Sequence, residues 1–271
     1  MIEHAGSSAQ GPVRPNNEDC IAHRAPAESE VRLAKGSLFV VADGVGGSRA
    51  GEIASNEAAE AVIRSYYSNG KSPGRALQEA FQQANLHVYD MGQTNPEYRR
   101  METTLSAFAL VGDQAYIGHV GDSRIYLVRN QTIEQLTRDH SEVGELVRMQ
   151  LLTLEEARHH PRRNVITRSV GSELMLQVDY RHVDVQLGDI FVNCTDGLWE
   201  PVEDSDIAEI VSKHSPEEST RLLTDLAVER GTADNLSIQV VKVVEWDRKP
   251  SAALAPRVSL LQKALRLFSR Q

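Results

Sequence analysis

Residues 105–136 read LSAFALVGDQAYIGHVGDSRIYLVRNQTIEQL, and the fold class turns on this stretch. Runs rich in apolar and β-branched residues at 105–111, 115–120, 125–128 and 132–136 are separated by Gly112-Asp113, Gly121-Asp122 and Asn130-Gln131. Short runs punctuated by turn residues predict an antiparallel meander. Upstream, SLFVVA at 37–42 predicts a buried strand that runs into a turn at Asp43-Gly44-Val45-Gly46-Gly47. Between the two, Ala54, Ala58, Ala61, Val62 and Tyr66, and then Leu77, Phe81, Ala84, Val88 and Met91, recur at helical spacing. Downstream, a polar helical stretch at 141–159 ends at His160-Pro161. Strand-like runs follow at 176–185, 190–195 and 236–244, with helical segments near 205–213 and 216–229. Helices and strands are segregated rather than strictly alternating. That order predicts an α+β layered domain with antiparallel sheets, covering about 1–246.

The chain has 271 residues, 41% hydrophobic and 25% charged, which is ordinary globular composition. Its 29 Lys and Arg against 38 Asp and Glu give a formal charge of −9. Such an acidic chain is poorly suited to nucleic acid, whose phosphates need Lys and Arg. Two cysteines, Cys20 and Cys194, cannot form a disulfide framework, so a reducing compartment, the cytoplasm, is expected. The first residues lack the basic and apolar regions of a signal peptide. The stretch 247–271 differs from the rest. It carries Arg248, Lys249, Arg257, Lys263, Arg266 and Arg270 against Asp247, so it holds about +5 and the remainder about −14. After Pro250 and Pro256, Val258, Leu261, Leu265 and Phe268 recur at helical spacing. The expectation is a basic linker and short amphipathic helix that packs on the domain or docks to a partner or anionic membrane surface.

Several chemistries fail on spacing. Gly70-Lys71-Ser72 lacks the earlier P-loop glycine, since position 65 is Ser65. A cysteine phosphatase needs an arginine six residues after its nucleophile, where this chain has Pro26 and Glu200. No HExxH, CxxC pair or GxSxG elbow is present. The unusual feature is where the aspartates fall. Asp43, Asp122 and Asp196 follow apolar runs, and Asp234 precedes one, so four carboxylates sit at the ends of core strands. Asp-Gly pairs are common in turns, and any one of these alone is a turn residue. If the four converge, their repulsion must be neutralised, and hard divalent cations with oxygen ligands do this. Paired Mg²⁺ or Mn²⁺ ions also activate water for in-line displacement at phosphorus.

Five segments, in order, resemble the motifs of the PP2C (PPM) metal-dependent Ser/Thr protein phosphatases: RPNNED at 14–19, VVADGVGG at 40–47, GDSR at 121–124, CTDGLWE at 194–200 and TADNLS at 232–237. Residues 136–171 are similar to the flap of bacterial members. The resemblance covers about residues 4–245 and implies an αββα sandwich of two antiparallel sheets flanked by helices. It also implies roles by position. Asp43 bridges two Mn²⁺ or Mg²⁺ ions, Asp196 and Asp234 complete the first, and the Gly44 carbonyl binds the second. Glu18 and Asp19 hold metal-bound waters or ligate directly, Arg14 grips the substrate phosphate, and Asn235 orients its neighbours. A third ion, common in bacterial relatives, falls to Asp122 and Asp196. Glu200 stands there where relatives often have Asp, with an arm one C–C bond longer. Animal members carry a general-acid histidine where this chain has Val45, so either a metal-bound water protonates the leaving group or a nearby histidine does, His140 and His160 being the candidates. The implied reaction is one-step hydrolysis of phosphoserine and phosphothreonine by a metal-bridged hydroxide. The implied partners are phosphorylated proteins, including a eukaryotic-like Ser/Thr kinase and its substrates. Two other classes fit the same residues, a phosphoprotein-binding module without turnover and a scaffold acting through its basic tail.

Overall fold

The computed structural model describes residues 2–45 and 49–245. Gly46 and Gly47 of the second motif, and the basic tail expected at 247–271, lie outside the described residues.

Among the described residues, eleven strands build two antiparallel sheets. They are β1 (Ile2–Ala9), β2 (Asp19–Arg24), β3 (Ser37–Val45), β4 (Glu102–Thr103), β5 (Leu105–Val111), β6 (Gln114–Val120), β7 (Arg124–Arg129), β8 (Thr132–Gln135), β9 (Asp179–Asp184), β10 (Ile190–Cys194) and β11 (Leu236–Val243). One sheet has the order β1-β11-β10-β7-β8. The other has β2-β3-β5-β6-β9, with β4 added to β3. The sheets pack through Phe39, Phe108 and Phe191, whose rings stack in series at 5.1 Å, with Ile117, Ile125, Leu127 and Val241 around them. Each such buried side chain contributes roughly 1.5–3 kcal/mol.

Helices cover the outer faces. After α1 (Ser29–Lys35), the long helices α2 (Arg49–Ser68) and α3 (Pro73–Thr94) lay Ala54, Ala58, Val62, Leu77, Phe81 and Val88 on the β2–β9 sheet. The small alanines let α2 lie close to the sheet. Two short helices, α4 (Glu142–Arg148) and α5 (Leu154–Arg158), stand in the segment 136–171. On the opposite sheet pack α6 (Asp196–Trp199), α7 (Asp204–Lys213) and α8 (Pro216–Glu229), through Leu198, Ile207, Val211 and Leu223. The architecture is the αββα sandwich, and the observed elements fall on most of the expected runs.

Five details differ from expectation. The meander is two hairpins in two sheets: β5–β6 pair in one, β7–β8 in the other, and the chain crosses at Gly121-Asp122-Ser123. Gly121 permits the crossing, because its φ of +106° is open to glycine and a Cβ there would stand 2.5 Å from Thr104 Cβ. The polar stretch 141–159 divides into two short helices, and the run at 176–185 is a strand only over Asp179–Asp184. Asp196 opens a helix rather than closing a strand. β1 carried no apolar run, since its residues alternate between half-buried and exposed at a sheet edge.

Candidate active site

One end of the sandwich gathers the aspartates, because antiparallel neighbours place the end of one strand beside the start of the next. Asp19 opens β2 directly opposite Asp43 near the end of β3. Asp122 lies in the β6–β7 crossing, Asp196 follows β10, and Asp234 precedes β11, the strand paired with β10. Gly197 brings the last two together: its α-carbon lies so close to the Asn235 carbonyl that a Cβ would stand 2.0 Å from that oxygen. Arg14, Glu18, Asp43, Gly44, Asp122, Asp196, Asp234 and Asn235 line one cavity of about 120 Å³, with Val45, Thr104, Asn164 and Ile166 completing its wall.

Hydrogen bonds fix the frame. Asn235 accepts from the Glu18 N–H at 2.9 Å and donates to the main-chain oxygens of Gln10 and Asn16 at 2.6 and 2.9 Å. It thereby ties the 10–18 segment to the start of β11. Thr195 Oγ1–H donates to Asp19 Oδ2 at 2.9 Å. Thr104 Oγ1 accepts from the Asp43 N–H at 3.0 Å and pairs with Ser123 Oγ at 2.8 Å, which joins β3 to the crossing that carries Asp122. Arg14 Nη2 meets Asp234 Oδ2 at 2.5 Å.

Charge is crowded here. Glu18, Asp19, Asp122 and Asp196 are only 5–9% exposed. Burial, and then the neighbouring carboxylates Asp19, Asp196, Asp122 and Asp234, push the Asp43 carboxyl well above the usual range. Burial, then Asp122, Asp234, Glu200 and Asp19, do the same to Asp196. Asp19 and Asp122 are each pushed up to about 7, burial being the largest cause. Asp19 Oδ1 and Asp196 Oδ1 are buried without a hydrogen-bond partner. Among the described residues, no three histidine, cysteine, aspartate or glutamate side chains already form a cage that could hold an ion. Asp234 is turned to Arg14. The donor set nevertheless suits hard divalent cations: it is all oxygen, Arg14 offsets only part of its charge, and two of its oxygens lack partners.

Other expected residues lie elsewhere. Glu200 does not line the acidic cavity. Its Oε1 faces Arg163 Nε at 3.3 Å, and it borders an adjoining groove of about 710 Å³ that shares Arg14, Asn164 and Asp234 with the cavity. His140 is buried behind the Asp122 turn, where Nδ1 accepts from the Gly121 N–H at 3.2 Å, and His160 Nδ1 accepts from the Arg162 N–H at 3.2 Å. Neither lines the acidic cavity. Asn164 and Ile166, from the segment 136–171, and Thr104 were not anticipated, because no local pattern marks them as cavity-lining.

The sequence profile of the family described as Protein phosphatase 2C matches residues 19–236. Protein phosphatase PhpP of Streptococcus pneumoniae is 35% identical over 242 residues, covering 88% of this chain and 96% of the relative. The crystal structure of the serine/threonine phosphatase PstP/Ppp of Mycobacterium tuberculosis superposes with a TM-score of 0.80 at 31% identity, covering 90% of this chain and 99% of that one. The catalytic domain of PstP in complex with two manganese ions superposes with a TM-score of 0.78 at 30% identity, covering 90% and 99%.

Proposed function

Because the chain belongs to the protein phosphatase 2C family and is a protein-serine/threonine phosphatase, we propose that it hydrolyses phosphoserine and phosphothreonine in proteins at the acidic cavity, in one step and without a phosphoenzyme. The observation that carries this reading is the convergence of Glu18, Asp43, Asp122 and Asp196, with Asp234 and Arg14, on a single small cavity, with Asp19 opposite Asp43 on the neighbouring strand. Asp43, Asp196, Asp234 and the Gly44 carbonyl would hold two Mn²⁺ or Mg²⁺ ions, with Glu18 and Asp19 ligating directly or through water. Such ions supply an activated water and neutralise the phosphoryl oxygens for in-line displacement. Arg14 exchanges its bond to Asp234 for the substrate phosphate, which the guanidinium fork suits. Asn235 keeps Glu18 and the 10–16 loop in register with Asp234. Asp122 with Asp196 would serve a third ion, while Glu200 is engaged by Arg163. With Val45 inside the cavity and both candidate histidines outside it, water protonates the departing Ser or Thr oxygen.

The natural substrates are phosphorylated proteins, with a eukaryotic-like Ser/Thr kinase and that kinase's targets among them, in the cytoplasm. The basic segment 247–271 serves to meet an anionic partner or membrane surface. No helix among the described residues is long and apolar enough to cross a membrane.

The test is turnover of p-nitrophenyl phosphate and a phosphothreonine peptide with Mn²⁺, with and without EDTA. Activity is expected only with metal, and Asp43→Asn is expected to lower it by about 10²-fold or more. Mn²⁺ at about a hundred times its dissociation constant should stabilise the fold by about 2.7 kcal/mol, and Asp43→Asn should cancel most of the rise in thermal midpoint. Turnover unaffected by EDTA contradicts the reading.

A further inference from the structure

We propose that Trp199 is a positioning residue for Asp122: its indole N–H, borne on the same helical turn as the Asp196 carboxylate, sets the spacing between the two carboxyl groups. The inference rests on the metal-dependent phosphatase reading of the cavity and adds a residue to it.

Trp199 Nε1–H donates to the Asp122 main-chain oxygen at 3.0 Å, and both residues are buried. α6 spans only Asp196–Trp199, so a single turn carries one carboxylate of the pair and the donor that holds the main chain from which the other projects. Gly197 seats this turn against the Asn235 carbonyl, which prevents it from sliding away from β11. The ring is held as well. The Arg124 guanidinium lies 3.6 Å from its centroid. Arg124 in turn makes bonds from Nε and Nη2 to the Asp139 carboxylate, the shortest 2.7 Å, and donates to Tyr126 Oη at 3.0 Å. The indole cannot rotate without losing both its hydrogen bond and this cation–π contact.

The need for such a holder follows from the topology. Asp122 sits where the chain leaves one sheet for the other, so neither ladder fixes it. His140 secures the preceding residue: its N–H donates to the Gly121 oxygen at 2.7 Å, and its Nδ1 accepts from the Gly121 N–H. Trp199 secures Asp122 itself. Two carboxylates that share an ion must be placed to within about 0.5 Å, and the groups that orient them decide whether they are. A phenylalanine at 199 would retain most of the packing. What tryptophan adds is the N–H.

The sequence contains two tryptophans, Trp199 and Trp246. In ¹⁵N-labelled full-length protein carrying Trp246→Phe, the remaining indole N–H resonance belongs to Trp199. Mg²⁺ is expected to shift it, and Asp122→Asn to abolish that shift. Calorimetric Mn²⁺ titration of Trp199→Phe should show the weakest binding step loosened by about 10–100-fold, with tighter steps changed by less than about threefold. Trp199→His, which keeps a ring N–H, should recover part of the loss. An indole resonance indifferent to Mg²⁺ while tight metal binding and turnover persist overturns the role of Trp199 alone. A folded Trp199→Phe protein with an unaltered binding profile does the same. Absence of both metal binding and turnover in the unsubstituted chain overturns the phosphatase reading, and this inference with it. If Trp199→Phe does not fold, judged by its thermal midpoint in EDTA, the resonance titration decides.

Discussion

At the scale of the residue, the acidic cavity is a set of groups that lower their own charge when no cation is present. Asp19 and Asp122 are pushed up to about 7 and Asp43 and Asp196 well above the usual range, burial being the main cause in each. Such groups bind more protons folded than unfolded. Their contribution to stability is therefore complete below the unfolded value near 4, and it is lost as pH rises through the folded values, about 7 for Asp19 and Asp122. A divalent cation replaces the protons, so it gains most where they have been removed. The rise in thermal midpoint caused by saturating Mn²⁺ is expected to be larger at pH 8 than at pH 6, measured in the same buffer ions. A larger rise at pH 6 would mean that the carboxylates are already charged and compensated. The sequence made Asp43, Asp122 and Asp196 legible, because each stands beside an apolar run, and Asp19 through the family resemblance. It did not reveal that Asp19 Oδ1 and Asp196 Oδ1 would be left without partners, since an unsatisfied atom is a property of its surroundings.

At the scale of the element, the determining feature is the crossing between β6 and β7. Turn residues at Gly121-Asp122 are visible in the sequence, and so are the strands on either side. The change of sheet is not, because a hairpin and a crossing use the same glycine-aspartate punctuation. Gly121→Ala must force a side chain into a positive-φ position against Thr104. It is expected to cost about 1–3 kcal/mol and to reduce metal affinity along with stability, since Asp122 is the next residue. Ser215→Ala is the contrasting case. Ser215 caps α8 by accepting from the Glu218 N–H at 3.3 Å, away from the cavity. Its loss should cost about 1 kcal/mol in urea unfolding and leave the kinetic constants unchanged. A drop in kcat for Ser215→Ala would show that α8 communicates with the site.

At the scale of the whole molecule, two helix–sheet interfaces and one sheet–sheet interface bury the apolar residues, and among the described residues these three clusters run from Ile2 to Val243. A chain ended after Glu245 is expected to keep its thermal midpoint within about 2 °C, no more than the shift of about a 1 kcal/mol change, and its turnover of p-nitrophenyl phosphate. A fall of about 10 °C would place part of the core in the basic segment. The sequence by itself determined the layer class, most of the helices and strands, the acidic constellation and the resemblance to a phosphatase family. These are written in periodicity, in turn chemistry and in the residue types at given spacings, all of which act locally. Only the tertiary structure decided that β1 is an edge strand, that the central strands belong to two sheets, that Glu200 turns to Arg163, and that Trp199 reaches Asp122. Each of those depends on which distant surfaces pack together, and the pairing energy resides in both partners at once rather than in either stretch of chain.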